Sequence, residues 1–307
     1  MRVALAPWLD VSMTGIERIK ALLFPAIDQV LDTQFAQGAG LQIAVALGLP
    51  EPRPGMPAEI RPMLMSALEE RYPNCFSVSA SFPVGHAAGL LALEAACQRL
   101  ARGTLDACVV AGVDSYLHPE TLEWLEQCDQ LHGAGTNNNA WGFIPGEGAG
   151  ALMLVRERTV EKLGIKVMGQ ILSVSCAQES KRIKTDTVCI GEGLTEAFRG
   201  ALRILPEGTL ISDSYCDMNG EPYRADEYGF AALRTKDHFQ SASDFVAPAD
   251  CWGDVAAAGA PLHIGLAVIA GQKAYANGAN AFVWASSEQG QRGAAVVRVS
   301  AEHVDAR

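Results

Sequence analysis

The sequence predicts a duplicated α/β fold of five layers, α-β-α-β-α, with two mixed, largely parallel sheets and two buried helices in the central layer. Three observations predict it. Runs of β-branched and aliphatic residues alternate with stretches of helical periodicity, the pattern of sheets covered on both faces. The order of elements then repeats, so that residues 1–155 and 156–307 each read as helix, strand, helix, strand, long apolar helix, strand. Finally, the two long helices open alike, GHAAGLLAL at 85–93 and GDVAAAGAPLHIGLA at 253–267, and each runs through a turn into a buried strand. Helices apolar all round must be sandwiched. The chain is therefore expected to form one domain, residues 1–307, built from two pseudo-repeats.

In order along the chain, residues 1–12 are ambiguous and could form an edge strand. Ile16 to Leu31 has helical spacing, with Ser12 and Thr14 as cap candidates. LQIAVAL (41–47) reads as a strand, PEPRPGMP (50–57) as a loop and Glu59 to Arg71 as a helix ending before Pro73. A strand at 75–81, a helix at 86–102 and a strand at 107–113 follow, then a short helix from Pro119 to Gln127. Residues 133–155 combine a polar loop, a glycine-dense turn and a strand, and 167–176 reads as a strand antiparallel to that one. The second half gives a helix from Gly193 to Leu205, a strand at 209–216, a helix from Arg224 to Lys236 and at most a short strand at 244–246. A long apolar helix from Val255 to Tyr275 and strands at 280–286 and 294–300 complete it.

Composition narrows the function classes. A formal charge of −11 disfavours a non-specific nucleic-acid binder. Lys181, Arg182 and Lys184 form the tight basic cluster, read as a solvated loop. The eight cysteines are scattered, several within apolar runs, and read as reduced thiols of a cytoplasmic protein. Cys128 and His132 have a metal-like spacing but lack a second pair, so neither metal nor cofactor is expected. No signal peptide is evident, and the apolar run at 255–271 is too interrupted for a membrane span.

Three motifs carry a family resemblance: HAAGLLALEAACQRLARGTLDACVVAGVD (86–114), WGFIPGEGAGALML (141–154) and GDVAAAGAPLH (253–263). They resemble the nucleophile helix, the glycine-rich GEGAG turn and the second-half glycine–histidine helix start of the β-ketoacyl synthases, in the thiolase-like superfamily. The resemblance implies a thiolase-like fold. It also implies carbon–carbon bond formation, in which a helix-terminal cysteine takes an acyl group from a carrier and two histidines assist decarboxylation. That chemistry needs a low-pKa thiolate and neutral imidazole donors.

Carried over position by position, none of the three catalytic residues is kept. His86 stands at the nucleophile position, three before Gly89. Asp254 stands where the second histidine would follow Gly253. Asn219 stands at the first histidine, with Asp217 a rival for that position. The family's arginine–aspartate pair before GF reads Ala140–Trp141, and the late glycine turn is thinned to WASSEQGQRG (284–293). The long excursion before the nucleophile strand shrinks to residues 48–74. The turn residues Gly146, Glu147, Gly148 and Gly150 remain, with Glu147 read as serving the fold.

Two readings follow. In the first, His86 fills the old cysteine pocket and bonds Asp254 or Asn219, in a catalytically degenerate, non-condensing partner or accessory subunit of chain-length-factor type. In the second, a divergent acyltransferase or acyl-thioester hydrolase uses His86 with Asp254 or Asp217, the helix N-terminus lowering the imidazole pKa and keeping it neutral. Ser77, Ser79 and Ser81 lack a nucleophile elbow and read as serines of a buried sheet; Cys216 reads as a buried thiol. The resemblance implies a homodimer or a heterodimer with a synthase-like partner, through a first-half edge strand near 107–113. An acyl carrier protein or acyl-CoA is a possible further partner.

Overall fold

The computed structural model describes residues 2–32, 40–134, 138–182, 185 and 187–299. The helices are α1 (Gly15–Val30), α2 (Ile60–Arg71), α3 (Ala88–Ala101), α4 (Pro119–Gln127), α5 (Glu157–Leu163), α6 (Glu192–Leu202), α7 (Pro222–Thr235), α8 (Ala249–Trp252) and α9 (Gly259–Gln272). The strands are β1 (Ile43–Leu49), β2 (Val78–Pro83), β3 (Ala107–Ser115), β4 (Glu147–Val155), β5 (Gly169–Gln178), β6 (Asp213–Cys216), β7 (Asn280–Ser286) and β8 (Gln291–Val299).

Two four-stranded mixed sheets form, in the orders β2-β1-β3-β4 and β5-β8-β7-β6. In sheet 1, β1 is parallel to β2 and β3, and β4 is antiparallel to β3. In sheet 2, β6 and β7 are parallel, and β8 is antiparallel to both β7 and β5. The outer face of sheet 1 packs on α1 and α2 through Ile19, Leu23, Ile27, Leu64 and Leu68. Between the sheets lie α3 and α9, whose Leu90, Leu93, Ile264 and Ala267 meet Val110, Val283 and Val297. The outer face of sheet 2 packs on α6 and α7 around Phe198, Phe282 and Trp284. This is the five-layered thiolase-like architecture, held by three apolar seams. Each fully buried leucine or isoleucine in them contributes about 1.5–3 kcal/mol.

The structure corrects several expectations. Residues 2–12 form no strand; the amide of Ala4 instead donates to the carbonyl of Pro145 at 2.9 Å. The strand expected to pair with β4, now β5, lies in the other sheet, because α5 carries the chain from one sheet to the other. The expected edge near 107–113 is β3, a fully buried interior strand; the edges of sheet 1 are β2 and β4. The long apolar helix begins later than expected, after a 3-10 turn at Ala256–Ala258, just as α3 follows a 3-10 turn at Gly85–Ala87. The short strand expected at 244–246 shrinks to one bridge, Val246 on Tyr215. Lys184 and Ser300 lie outside the described residues; of the basic cluster, Lys181 pairs with Glu192 at 3.2 Å and Arg182 donates to Gln289 at 3.1 Å.

Candidate functional site

His86 sits in the turn between β2 and α3, where Gly85 adopts a left-handed φ of 71° and so reverses the chain. Asp254 follows Gly253 at the corresponding entry to α9. Its backbone is clamped by the glycine turn: its amide donates to Ile144 O at 2.7 Å and its carbonyl accepts from Gly146 N at 2.8 Å. Close approach is required, since a Cβ on Gly146 would fall 2.7 Å from the carbonyl of Trp252. Asn219 lies just beyond β6, whose Cys216 amide is bonded to the Val246 carbonyl at 3.1 Å.

These elements bring all three positions together. The imidazole Nε2 of His86 is 2.9 and 3.0 Å from the two Asp254 carboxylate oxygens. Asn219 Nδ2 donates to Asp254 Oδ2 at 2.6 Å, and the Ala256 amide donates to Oδ1 at 2.7 Å. Asp217, the rival, makes no direct hydrogen bond to His86: its Oδ2 accepts from Arg224 Nη1 at 2.7 Å and from the Ser286 amide at 2.8 Å. Arg224 ties the two groups, its Nη2 lying 3.1 Å from His86 Nε2. All five side chains are buried.

The electrostatics reverse the expectation for His86. Burial presses its pKa down and so does Arg224, but the charge and hydrogen bond of Asp254 carry it above the ordinary value. The helix N-terminus loses to a carboxylate in direct contact. Burial would raise the Asp254 carboxyl; His86, Arg224 and Asn219 outweigh it and hold that group well below the usual carboxylate range. The upward shift disfavours the neutral imidazole that attack on a thioester or proton acceptance requires. The cavity alongside, bordered by His86, Cys216, Asp217, Trp252, Asp254 and His263, measures about 10 Å³. That is room for about one water, far short of an acyl chain.

Comparisons with known proteins agree on the scaffold. Residues 81–159 match the family model "Beta-ketoacyl synthase, N-terminal domain". Polyketide synthase PksL of Bacillus subtilis (strain 168) is 34% identical over 96 residues, 30% of this chain and 2% of that protein. Reducing polyketide synthase pksF of Alternaria solani is 30% identical over 95 residues, 30% of this chain and 4% of that protein. The chain thus spans only a small part of the curated relatives it matches. Among solved structures, a type II polyketide ketosynthase, in a complex of acyl-carrier protein with its ketosynthase bound to a hexaketide, superposes with a TM-score of 0.72 at 15% identity, covering 89% of this chain and 81% of that one. The ishigamide ketosynthase/chain length factor gives a TM-score of 0.61 at 18% identity, covering 96% and 86%. The chain has the thiolase-like fold of these ketosynthases and is similar to the β-ketoacyl synthases over residues 81–159.

Within this ketosynthase-like scaffold the retained turn serves as a staple. Glu147 accepts from Arg18 Nε and Nη2, both at 2.6 Å, from the Ala6 amide at 2.8 Å and from Ser115 Oγ at 2.8 Å. Beside it, Arg53 pairs with Asp114 and lies 4.3 Å over the Tyr116 ring. Asp114 in turn accepts from the Ala257 amide at 3.3 Å, linking β3 to the entry of α9. Gly112 is indispensable there, because a Cβ would sit 2.2 Å from the Ala257 carbonyl oxygen.

The other candidates do not converge on the site. Ser77, just before the edge strand β2, and Ser79 on it are exposed, and Ser81 is half-buried, so the expectation of buried-sheet serines is corrected. Cys216 lines the cavity, but burial pushes its thiol pKa far up and keeps it protonated. Cys128 is exposed. Among the described residues, Glu179, Cys189 and Glu227 come within metal-ligand reach of one another, yet Arg292 already donates to Glu227 at 2.6 Å. That cation opposes an ion, so the cluster is not read as a metal centre. Sequence reasoning missed Arg224 and His263. His263 stacks on Trp252 at 6.3 Å, and burial lowers its pKa to about 4, leaving it neutral. The signal for Arg224 was its place in the first turn of a helix, one step after the Asn219–Gly220 corner.

Proposed function

We propose that this ketosynthase-like chain is a non-condensing partner or accessory subunit, of chain-length-factor or adaptor type, acting through its surface. One observation carries the reading: the three positions that would bear the nucleophile and the two histidines are spent on one another, around a cavity of about 10 Å³. The enclosed Asp254 has its oxygens met by His86, Asn219 and the Ala256 amide. Such a network rigidifies the junction of the two halves rather than activating a group. Partner binding, to a synthase-like subunit or an acyl carrier protein, is consistent with the relatives, which include a ketosynthase/chain length factor and a ketosynthase–carrier complex. The edges of sheet 1 available for strand pairing are β2 and β4. Among the described residues, no helix is long and apolar enough to cross a membrane.

The alternative, an acyltransferase or thioester hydrolase using His86 with Asp254, draws on the 2.9 Å contact between them. It would need a neutral imidazole, against the upward shift of the His86 pKa, and a pocket that opens. The test is incubation of the protein with acetyl-, hexanoyl- and malonyl-CoA, following free thiol and intact mass. The proposal expects neither thiol release above background nor an acyl adduct. Release that disappears in His86→Ala, with the fold kept, would overturn it in favour of the hydrolase.

A further inference from the structure

Two deeply buried polar atoms belong to side chains that border the cavity beside Asp254, and the protein itself meets neither. Asp217 Oδ1 and His263 Nδ1 have no hydrogen-bond partner among the described residues, although the two side chains are only 7% and 3% exposed. A polar atom at such depth has given up its hydration and is ordinarily bonded to something. Both residues line the same space of about 10 Å³, together with Cys216, Trp252 and Gly259.

The surrounding elements hold both groups in place. Asp217 directly follows β6, and its other oxygen accepts from Arg224 Nη1 at 2.7 Å and from the Ser286 amide at 2.8 Å, which fixes the direction of Oδ1. His263 lies one turn into α9, its ring stacked parallel to Trp252 with centroids 6.3 Å apart. Gly259, one turn earlier, leaves room beside that ring, because a Cβ there would lie 3.4 Å from His263 Cε1. The neighbouring side-chain donors are engaged elsewhere. Cys216 Sγ donates to the Val246 carbonyl at 3.7 Å, and His86 Nε2 lies 2.9 Å from Asp254.

The chemistry of the two atoms selects their ligand. A carboxylate oxygen accepts only, and the charge of Asp217 is already matched by Arg224, so no unpaired negative charge remains to hold a cation. Burial lowers the His263 pKa to about 4, so the ring is neutral and carries one N–H. The ligand must therefore be uncharged, able to donate and accept, and no larger than the space. We propose that this cavity is the binding site of a single structural water, which donates to Asp217 Oδ1 and accepts from His263 Nδ1–H. Both dipoles then point toward the carboxylate and strengthen each other, which makes His263 the Nδ1–H tautomer. The water also lengthens the Asp254 network. His263, the water, Asp217, Arg224 and His86 form one polar chain from α9 to the entry of α3. The inference goes beyond the non-condensing reading and holds whether or not His86 acts on a thioester.

The test is a high-resolution crystal structure of the full chain, together with the ring nitrogen chemical shifts of His263 at neutral pH. One water is expected within about 3.2 Å of both atoms, with Nδ1 protonated and Nε2 bare. His263→Phe keeps a ring of similar size without its nitrogens and is expected to lose the water while Asp217 stays on Arg224. A wild type without a water bridging the two atoms would overturn the proposal. So would an Nε2–H tautomer, or a metal ion or organic molecule at that position. Thiol release from acyl-CoA on the same preparation tests the non-condensing reading separately: release with the bridging water in place removes that reading and supports this one.

Discussion

Two buried ionic networks lie on either side of the glycine turn, each centred on one carboxylate. Around Glu147, residues of the family-like motif are retained, and one carboxylate holds Arg18, Ser115 and the Ala6 amide. Around Asp254, the arrangement has the same form: one buried carboxylate holding His86, Asn219 and the Ala256 amide. The comparison teaches that, on the non-condensing reading proposed above, the pocket around Asp254 serves as a second staple. A carboxylate, an amide and a basic ring at these positions satisfy one another, whereas condensation chemistry needs groups left unsatisfied until substrate arrives.

The largest expected effect falls on the first staple. Glu147→Ala leaves Arg18 buried without a counter-charge and is expected to cost about 3–5 kcal/mol in urea unfolding. If the second network is also structural, Asp254→Ala should cost a comparable, slightly smaller amount, about 2–4 kcal/mol, because Arg224 retains Asp217. A cost below about 0.5 kcal/mol there would break the parallel and return the site to a functional reading.

The pH dependence sharpens the comparison further. His86 has a raised folded pKa, so its contribution is full below the unfolded imidazole value of about 6.5 and is lost as pH rises through the folded value. Asp254 is depressed, so its contribution is present above the unfolded carboxylate value and is lost as pH falls through the folded one. Melting temperature should therefore fall on the alkaline side in the wild type and less steeply in His86→Gln. His263 works the opposite way to His86. Its pKa of about 4 makes the folded state refuse a proton that the unfolded chain accepts. Stability should drop as pH falls from about 6.5 toward that value, and His263→Phe should flatten the slope in scanning calorimetry. The smallest effect is expected at the exposed Lys181–Glu192 pair, where Lys181→Ala should change stability by less than about 1 kcal/mol.

Much of this fold was legible in the sequence, because periodicity reports burial and the layers follow from it. The five layers, the paired central helices and the turn around Glu147 were all readable that way. Strand order is not, since sheet neighbours are set by tertiary packing: the sequence alone points to β3 as an edge and to β5 as the neighbour of β4. At the site, His86 and Asp254 are legible from their places in the motifs and Asn219 from its place before Gly220. Their mutual bonding, the choice of Asp254 over Asp217 and the raised pKa of His86 depend on distances across the two halves. Arg224 was invisible for the same reason, looking like any arginine in the first turn of a helix. The apolar stripe of α9 was read as proof of burial, whereas its outer residues Leu262, Leu266 and Ile269 are half-buried or exposed.

The most direct test of the second-staple account measures stability and thioester turnover on the same preparations of wild type and His86→Ala. The account predicts that His86→Ala unfolds at lower urea while neither protein releases thiol from acyl-CoA. A wild type that turns over thioester, with His86→Ala equally stable and inactive, would contradict it.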